Sequence, residues 1–286
     1  MINRLFPTLL FFICFFYSLP QTAKAQNHEW ENPAKDEWNK ERPHAGFRLY
    51  GQSEDAVNDK PRKSCWQHSL KGVWKFSYAR TIAASIKDFY RIGLPDSNWD
   101  TITVPSNWEI QGFGEPIIRN IQYVFSSNPP YIDVDNPVGT YRRTFTVPRN
   151  WQEREVFLHF GSISGYARIY VNGQQVGMTK ASKTPAEFNV TNYLKEGENL
   201  LAVQIYRWHD GSYMEDQDFW RLTGIERDVF LQAYPKLTIW DFFLKSSLDS
   251  TYKNGIFNAT VDLREFTGNN VKKGTLKLEL LDKPAK

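Results

Sequence analysis

The stretch RWHDGSYMEDQDFWRLTGIERD, residues 207–228, decides how the rest of the chain is read. It carries Asp210, Glu215, Asp216 and Asp218 among Trp208, Tyr213, Phe219 and Trp220, with Tyr206 just before it. Apolar runs at residues 200–206 and 229–231 mark strands on either side, so the stretch is a connection between them. A connection runs over the surface, because a buried one could not satisfy its backbone polar groups. So many large aromatics are not left in water without a reason. Carboxylates that accept hydroxyl protons, beside flat rings that cover C–H faces, suit a polyhydroxylated ligand. The same residues also describe a packed corner whose acids pair with Arg207, Arg221 and Arg227. The stretch by itself leaves both readings open.

Outward from it, the chain reads as strands. SLKGVWKFSY (residues 69–78) gives an early core strand through Leu70, Val73, Trp74, Phe76 and Tyr78. WDTITVPSNW (99–108) alternates and then breaks at Pro105. IIRNIQYVFSSNPP (117–130) is extended and turns on its two prolines. NPVGTYRRTFTVP (136–148), REVFLHFG (154–161) and ARIYVNGQQVG (167–177) follow, the last with Asn172-Gly173 as a strong hairpin signal. A single turn at 190–194 and a Gly197-Glu198-Asn199 turn lead into the strand at 200–206. Short strands this closely spaced, without a long amphipathic helix, predict an all-β protein built on a jelly-roll sandwich. Trp74, Phe157, Tyr170 and Val203 are expected in or beside its core. Residues 54–62 are polar and read as a loop.

The ends bound the rest. Arg4, an apolar run at 5–19 and Ala23-Lys24-Ala25 make a secretory signal peptide cleaved after Ala25, so the mature chain is expected to be secreted or periplasmic. Without Arg4 and Lys24, the 35 basic side chains become 33 against 32 acidic ones, which gives no argument for nucleic acid or an anionic membrane as a partner. Cys65 is then the single thiol, so stability rests on an ordinary core and not on an intrachain disulfide. Residues 26–62 form an N-terminal arm whose Trp30, Trp38 and Phe47 are expected to staple it to the sandwich at 63–234. Beyond Tyr234-Pro235, runs at 237–244, 256–263 and 275–281 read as the first strands of an immunoglobulin-like sandwich, incomplete at Lys286 and expected to be the least stable part. The five histidines lack metal-ligand spacing, and no Ser-His-Asp or phosphate-cradling pattern is present.

DGSYMEDQDFWRLTGIERDV (210–229) closely resembles a segment of the glycoside hydrolase family 2 β-galactosidases, and the resemblance extends to WENP, PHA, LKGVWKF, PSNWE and NPVGTYRR. It implies a sugar-binding jelly roll, then an immunoglobulin-like domain, then a catalytic barrel that supplies the two carboxyls of a retaining mechanism. No catalytic residue is therefore assigned to this chain; Glu215 and Asp218, on one loop, lack the rigid strand-end setting of a barrel. The resemblance assigns Asn120 and Asp218 to the β-galactoside sugar. It also gives Asp218 a share in a Na+ or K+ ion completed by the barrel. A Mg2+ site would use Glu29, Asn32 and Asp210, but its remaining ligand position falls near Lys180, and an ammonium repels a cation. The implied partners are the chain's own barrel and further copies in a homo-oligomer. The alternatives are a free-standing carbohydrate-binding module and another specificity of the family, β-glucuronidase or β-mannosidase.

Overall fold

A computed structural model describes residues 28–58, 64–118, 123–215, 218, 220–268 and 275–279. The sandwich is built from β1 (Gln67–Ser69), β2 (Gly72–Ala79), β3 (Asp100–Val104), β4 (Val138–Thr146), β5 (Glu155–Phe160), β6 (Tyr166–Val171), β7 (Gln174–Thr179), β8 (Ala186–Asn189), β9 (Glu198–Tyr206) and β10 (Val229–Tyr234). The larger sheet runs β7-β6-β9-β4-β2-β3, extended outside β7 by Glu37–Trp38 of the arm. The smaller runs β8-β5-β10-β1, and all the pairs are antiparallel. This is the expected all-β, jelly-roll class of sandwich.

The strand period sorts side chains between the two faces. In β2, Trp74 and Phe76 enter the core while Val73 is exposed, so Val73 does not belong to the core strand face assigned to it above. Val203 lies in the same core with Tyr141, Leu158, Ile169 and Leu231. Phe157 is fully buried but points the other way from Val156 and Leu158, and its ring meets Trp240 and Phe266 outside the sandwich. Tyr170 likewise faces away from the interior, stacked on Tyr90 and edge-on to Phe89 in the segment that covers the larger sheet. The β6–β7 hairpin turns on Asn172 and Gly173, both at positive φ (50° and 85°), as a primed turn requires. The Asn172 amide also donates to the Tyr193 carbonyl and the Asn199 side chain, tying the turn to the start of β9.

Three local expectations are corrected. Ser53–Val57 is a short helix, α1, where a loop was read. Its acids sit in the first turn, favourable to the helix dipole, but it carries no apolar stripe that could have signalled it. Trp38 does not staple the arm: its backbone pairs with Met178 while the indole is 47 % exposed. Residues 275–279 form no strand. The two preceding runs do form a hairpin, β11 (Leu237–Leu248) and β12 (Gly255–Glu265). Its base is fused to the sandwich, because Trp240 and Phe266 cover Phe157, and Arg264 lies over Trp240 while pairing with Glu41. Apolar side chains are exposed along its length, Leu237, Ile239 and Leu263 near the base and Phe243, Leu248 and Phe257 further out.

Side chains also fasten the arm. Trp30 stacks between His28 and Tyr206. Further on, the His44 Nε2 lies 3.4 Å from Glu187 Oε2 on β8, and the same oxygen lies 3.1 Å from His159 Nδ1 on β5. Ala45 N–H donates to Asp241 of the hairpin, so arm, smaller sheet and hairpin meet at one point. The hydrogen bond to Glu187, opposed by burial, raises the His44 imidazolium above its ordinary pKa. Burial would raise the Glu187 carboxyl, yet the two histidines hold it below the usual range. The His44 contribution is therefore complete below the ordinary histidine pKa and is lost as pH rises through the raised folded value. The Glu187 contribution is complete above the ordinary carboxylate pKa and is lost as pH falls through the depressed one. Urea titrations should show that His44→Gln costs more stability near about pH 5.5 than near about pH 8.5. An equal cost at both would remove the ion pair from the account.

Candidate functional site

The stretch at 207–228 folds as two unlike halves. The first is pinned from below. Arg207 leaves β9 with its guanidinium 3.6 Å from Glu109, the two side chains only 4 % and 0 % exposed. Arg207 also donates to the carbonyls of Glu115 and Arg221, and Glu109 accepts from the Thr223 amide. Burial pushes the Glu109 carboxyl up, while the Thr223 amide and Arg207 pull it back. One buried pair thus holds both ends of the loop. Trp208 is bracketed by Asn136, whose side chain accepts from its amide and donates to its carbonyl.

Asp210–Tyr213 then makes one 3-10 turn, capped by His209. The Gly211 amide donates to His209 Nδ1, and the His209 amide donates to the Ser212 hydroxyl. Gly211 packs against that imidazole so tightly that a Cβ would lie 2.6 Å from the ring, which explains the glycine after Asp210. Asp210 lies 3.0 Å from the Lys180 ammonium. Burial would raise its carboxyl, but His209 and Lys180 hold it below the ordinary range. Glu215 accepts from the Ser182 amide at 3.0 Å and lies 3.5 Å from His209 Nε2. Its carboxyl is likewise held low against the effect of burial. Tyr213 packs on Tyr123 and Phe125, and its hydroxyl donates to the Ser126 carbonyl.

The packed corner is therefore real for this half, though its acids do not pair with the arginines the sequence offers. Asp210 takes Lys180, Glu215 takes a backbone amide and His209, and Arg207 takes Glu109 from another segment. Lys180 and Glu109 lie 30 and 98 residues from their partners, so local spacing gives no signal for them. Glu109 ends the PSNWE run, where nothing local marks it as a partner for Arg207. Most of the aromatics are committed to packing too: Tyr206 and Trp208 are buried, and Tyr213 is held in a ring cluster. Trp220 is the exception, 49 % exposed. Phe219, Asp216 and Gln217 lie outside the described residues.

The second half is the tip. Asp218 is exposed, and Trp220–Arg221 pairs antiparallel with Ile117–Ile118. In that ladder Trp220 stands opposite Ile118. Asp218 is two residues before Trp220, at one end of this two-rung ladder. Asn120 itself lies outside the described residues. A cavity of about 520 Å³ borders this region, lined by Tyr78, Glu115, Ile117, Val134, Asp135 and Arg207 among others. The groups that the resemblance gives to Mg2+ have partners within the chain. Glu29 accepts from the Tyr166 hydroxyl, the Asn32 side chain from the Ala34 amide, and Asp210 from Lys180.

In this two-sheet sandwich the tip of the loop leaves an acid, Asp218, and an aromatic, Trp220, exposed at the surface. Residues 67–235 match the family described as glycosyl hydrolases family 2, sugar binding domain, and the chain belongs to that family. It is 37 % identical over 268 residues to a β-galactosidase of Priestia megaterium, covering 91 % of this chain and 26 % of that protein. It is 39 % identical over 241 residues to a β-galactosidase of Vibrio cholerae, covering 84 % and 23 %. The chain thus spans about a quarter of the length of these relatives. Among solved structures, a β-glucuronidase from an uncultured Clostridium species superposes with a TM-score of 0.56 at 24 % identity, over 77 % of this chain and 36 % of that one. A Ruminococcus gnavus β-glucuronidase gives 0.53 at 19 %, over 71 % and 34 %. At such identities these two establish the fold alone.

Proposed function

We propose that the chain is the N-terminal sugar-binding region of an exported, retaining β-galactosidase, and that it lends Asp218 and Asn120 to a galactose pocket completed by a downstream barrel. The supporting observation is the division of the loop. Asp210, Glu215 and Arg207 are spent on holding it, while Asp218 and Trp220 remain exposed beside the strand that leads to Asn120. A carboxylate at a sugar hydroxyl and a neighbouring ring at a C–H face are the contacts this arrangement can make. With Glu215 bound to Ser182 and His209, a loop dyad of Glu215 and Asp218 has no free second carboxyl. Asp218 sharing a Na+ or K+ ion with the barrel belongs to the same proposal, as does an immunoglobulin-like domain beginning at β11.

The galactose specificity rests on the relatives at 37–39 % identity; the β-glucuronidases are likenesses of fold. The test is hydrolysis of paired aryl glycosides. The chain alone is expected to turn over neither, because two carboxyls about 5–5.5 Å apart are required and Glu215 is committed to the Ser182 amide. Joined to its downstream region, it should cleave the aryl β-galactoside in preference to the aryl β-glucuronide. Turnover by the isolated chain that disappears with Asp218→Ala would overthrow this reading in favour of loop catalysis. The opposite preference in the complete enzyme would move the specificity to glucuronides.

A further inference from the structure

We propose that Lys180 is a built-in cation that locks the N-terminal arm to the 207–215 loop, so that this junction is held without a divalent ion. Lys180 follows β7 directly, and its amide donates to the Asp36 carbonyl at 3.0 Å, which fixes its backbone against the arm. Its ammonium donates to the Asn32 carbonyl of the arm at 3.0 Å and to Asp210 of the loop at 3.1 Å, with the second Asp210 oxygen 3.0 Å away. The side chain is 5 % exposed, so this charge is withdrawn from water and tied to two segments that are remote in sequence.

The atoms a hard divalent ion would need are already in use. Magnesium requires near-octahedral oxygen ligands at about 2.0–2.1 Å and keeps several waters. Here Glu29 is bound to Tyr166, the Asn32 side-chain oxygen caps its own turn at Ala34, and Asp210 is shared by Lys180 and the Gly211 amide. An ammonium has three donors and no acceptor, so it repels a metal from this place while donating to the Asp210 carboxylate and the Asn32 backbone carbonyl. Among the described residues, no group of three or more His, Cys, Asp or Glu side chains is placed to hold a metal elsewhere. Because this cation is covalently part of the chain, the junction does not respond to free ion concentration, as a bound metal would by mass action.

The experiment is a set of thermal midpoints for the purified protein in chelator and in millimolar magnesium. The wild type should melt at the same temperature in both. Lys180→Met should melt roughly 6–20 °C lower, since it takes the ammonium from the buried Asp210 and the donor from the Asn32 carbonyl. Lys180→Asp should melt low in chelator and recover by about 5–10 °C in magnesium, now that a carboxylate replaces the ammonium. A wild-type midpoint that rises in magnesium and falls in chelator would overturn the proposal, and this arm stands even if a variant fails to fold. So would a Lys180→Met midpoint equal to that of the wild type.

Discussion

Arg207→Met should destabilise the protein by about 3–5 kcal/mol, as expected when one member of a buried ion pair is removed. The effect comes from two places. The Glu109 carboxylate, fully buried, loses its counter-charge, and the Glu115 and Arg221 carbonyls lose their donor. Methionine fills much of the same volume, so little of the loss comes from a void. The double variant Arg207→Met, Glu109→Met should recover part of the stability, because it removes the unpaired charge as well. Urea titration of the four proteins checks this. If the double variant loses as much as the sum of the singles, the two side chains do not act as a pair and the loop is anchored by its backbone alone.

In the complete enzyme, Asp218→Asn should lower kcat/KM for an aryl β-galactoside by roughly 10- to 100-fold, the range for losing a hydrogen bond to a charged group. The substitution keeps the shape and removes the charge that would hold a sugar hydroxyl and a monovalent cation. Asp218 is exposed at the tip of a loop whose stability is secured elsewhere, so its replacement should leave the melting temperature where it was. That separation of activity from stability is the useful part of the result. A parallel fall in melting temperature would mean that Asp218 holds the loop and does not serve the ligand.

How far these features can be read from the sequence depends on the distance over which their causes act. Alternation within a strand is local, so the sandwich, the Asn172-Gly173 hairpin and the turn at 191–193 follow from short windows. Face assignment is less local. Val73 and Trp74 look alike as apolar neighbours, and it is the pleat that sends one outward. Phe157 reads as interior because it is large and apolar, yet its burial is supplied by Trp240 and Phe266 from the following hairpin. The loop shows the same limit more sharply. Its sequence displays every acid and every ring, but what separates Asp210 and Glu215 from Asp218 is the position of Lys180, Ser182 and Glu109 in space. Lys180 is visible in the sequence as an ammonium, and only the structure supplies its acceptors, the Asn32 carbonyl and Asp210.

The central claim, that this region reaches into the sugar pocket, is tested most directly by a crystal structure of the complete enzyme with galactose bound. The account predicts an Asp218 carboxylate oxygen within hydrogen-bond reach of one sugar hydroxyl, about 2.5–3.2 Å away, and the Asn120 side chain equally close to another. Galactose seated in the barrel with Asp218 turned to solvent, or with the two side chains on opposite sides of the domain, would contradict it.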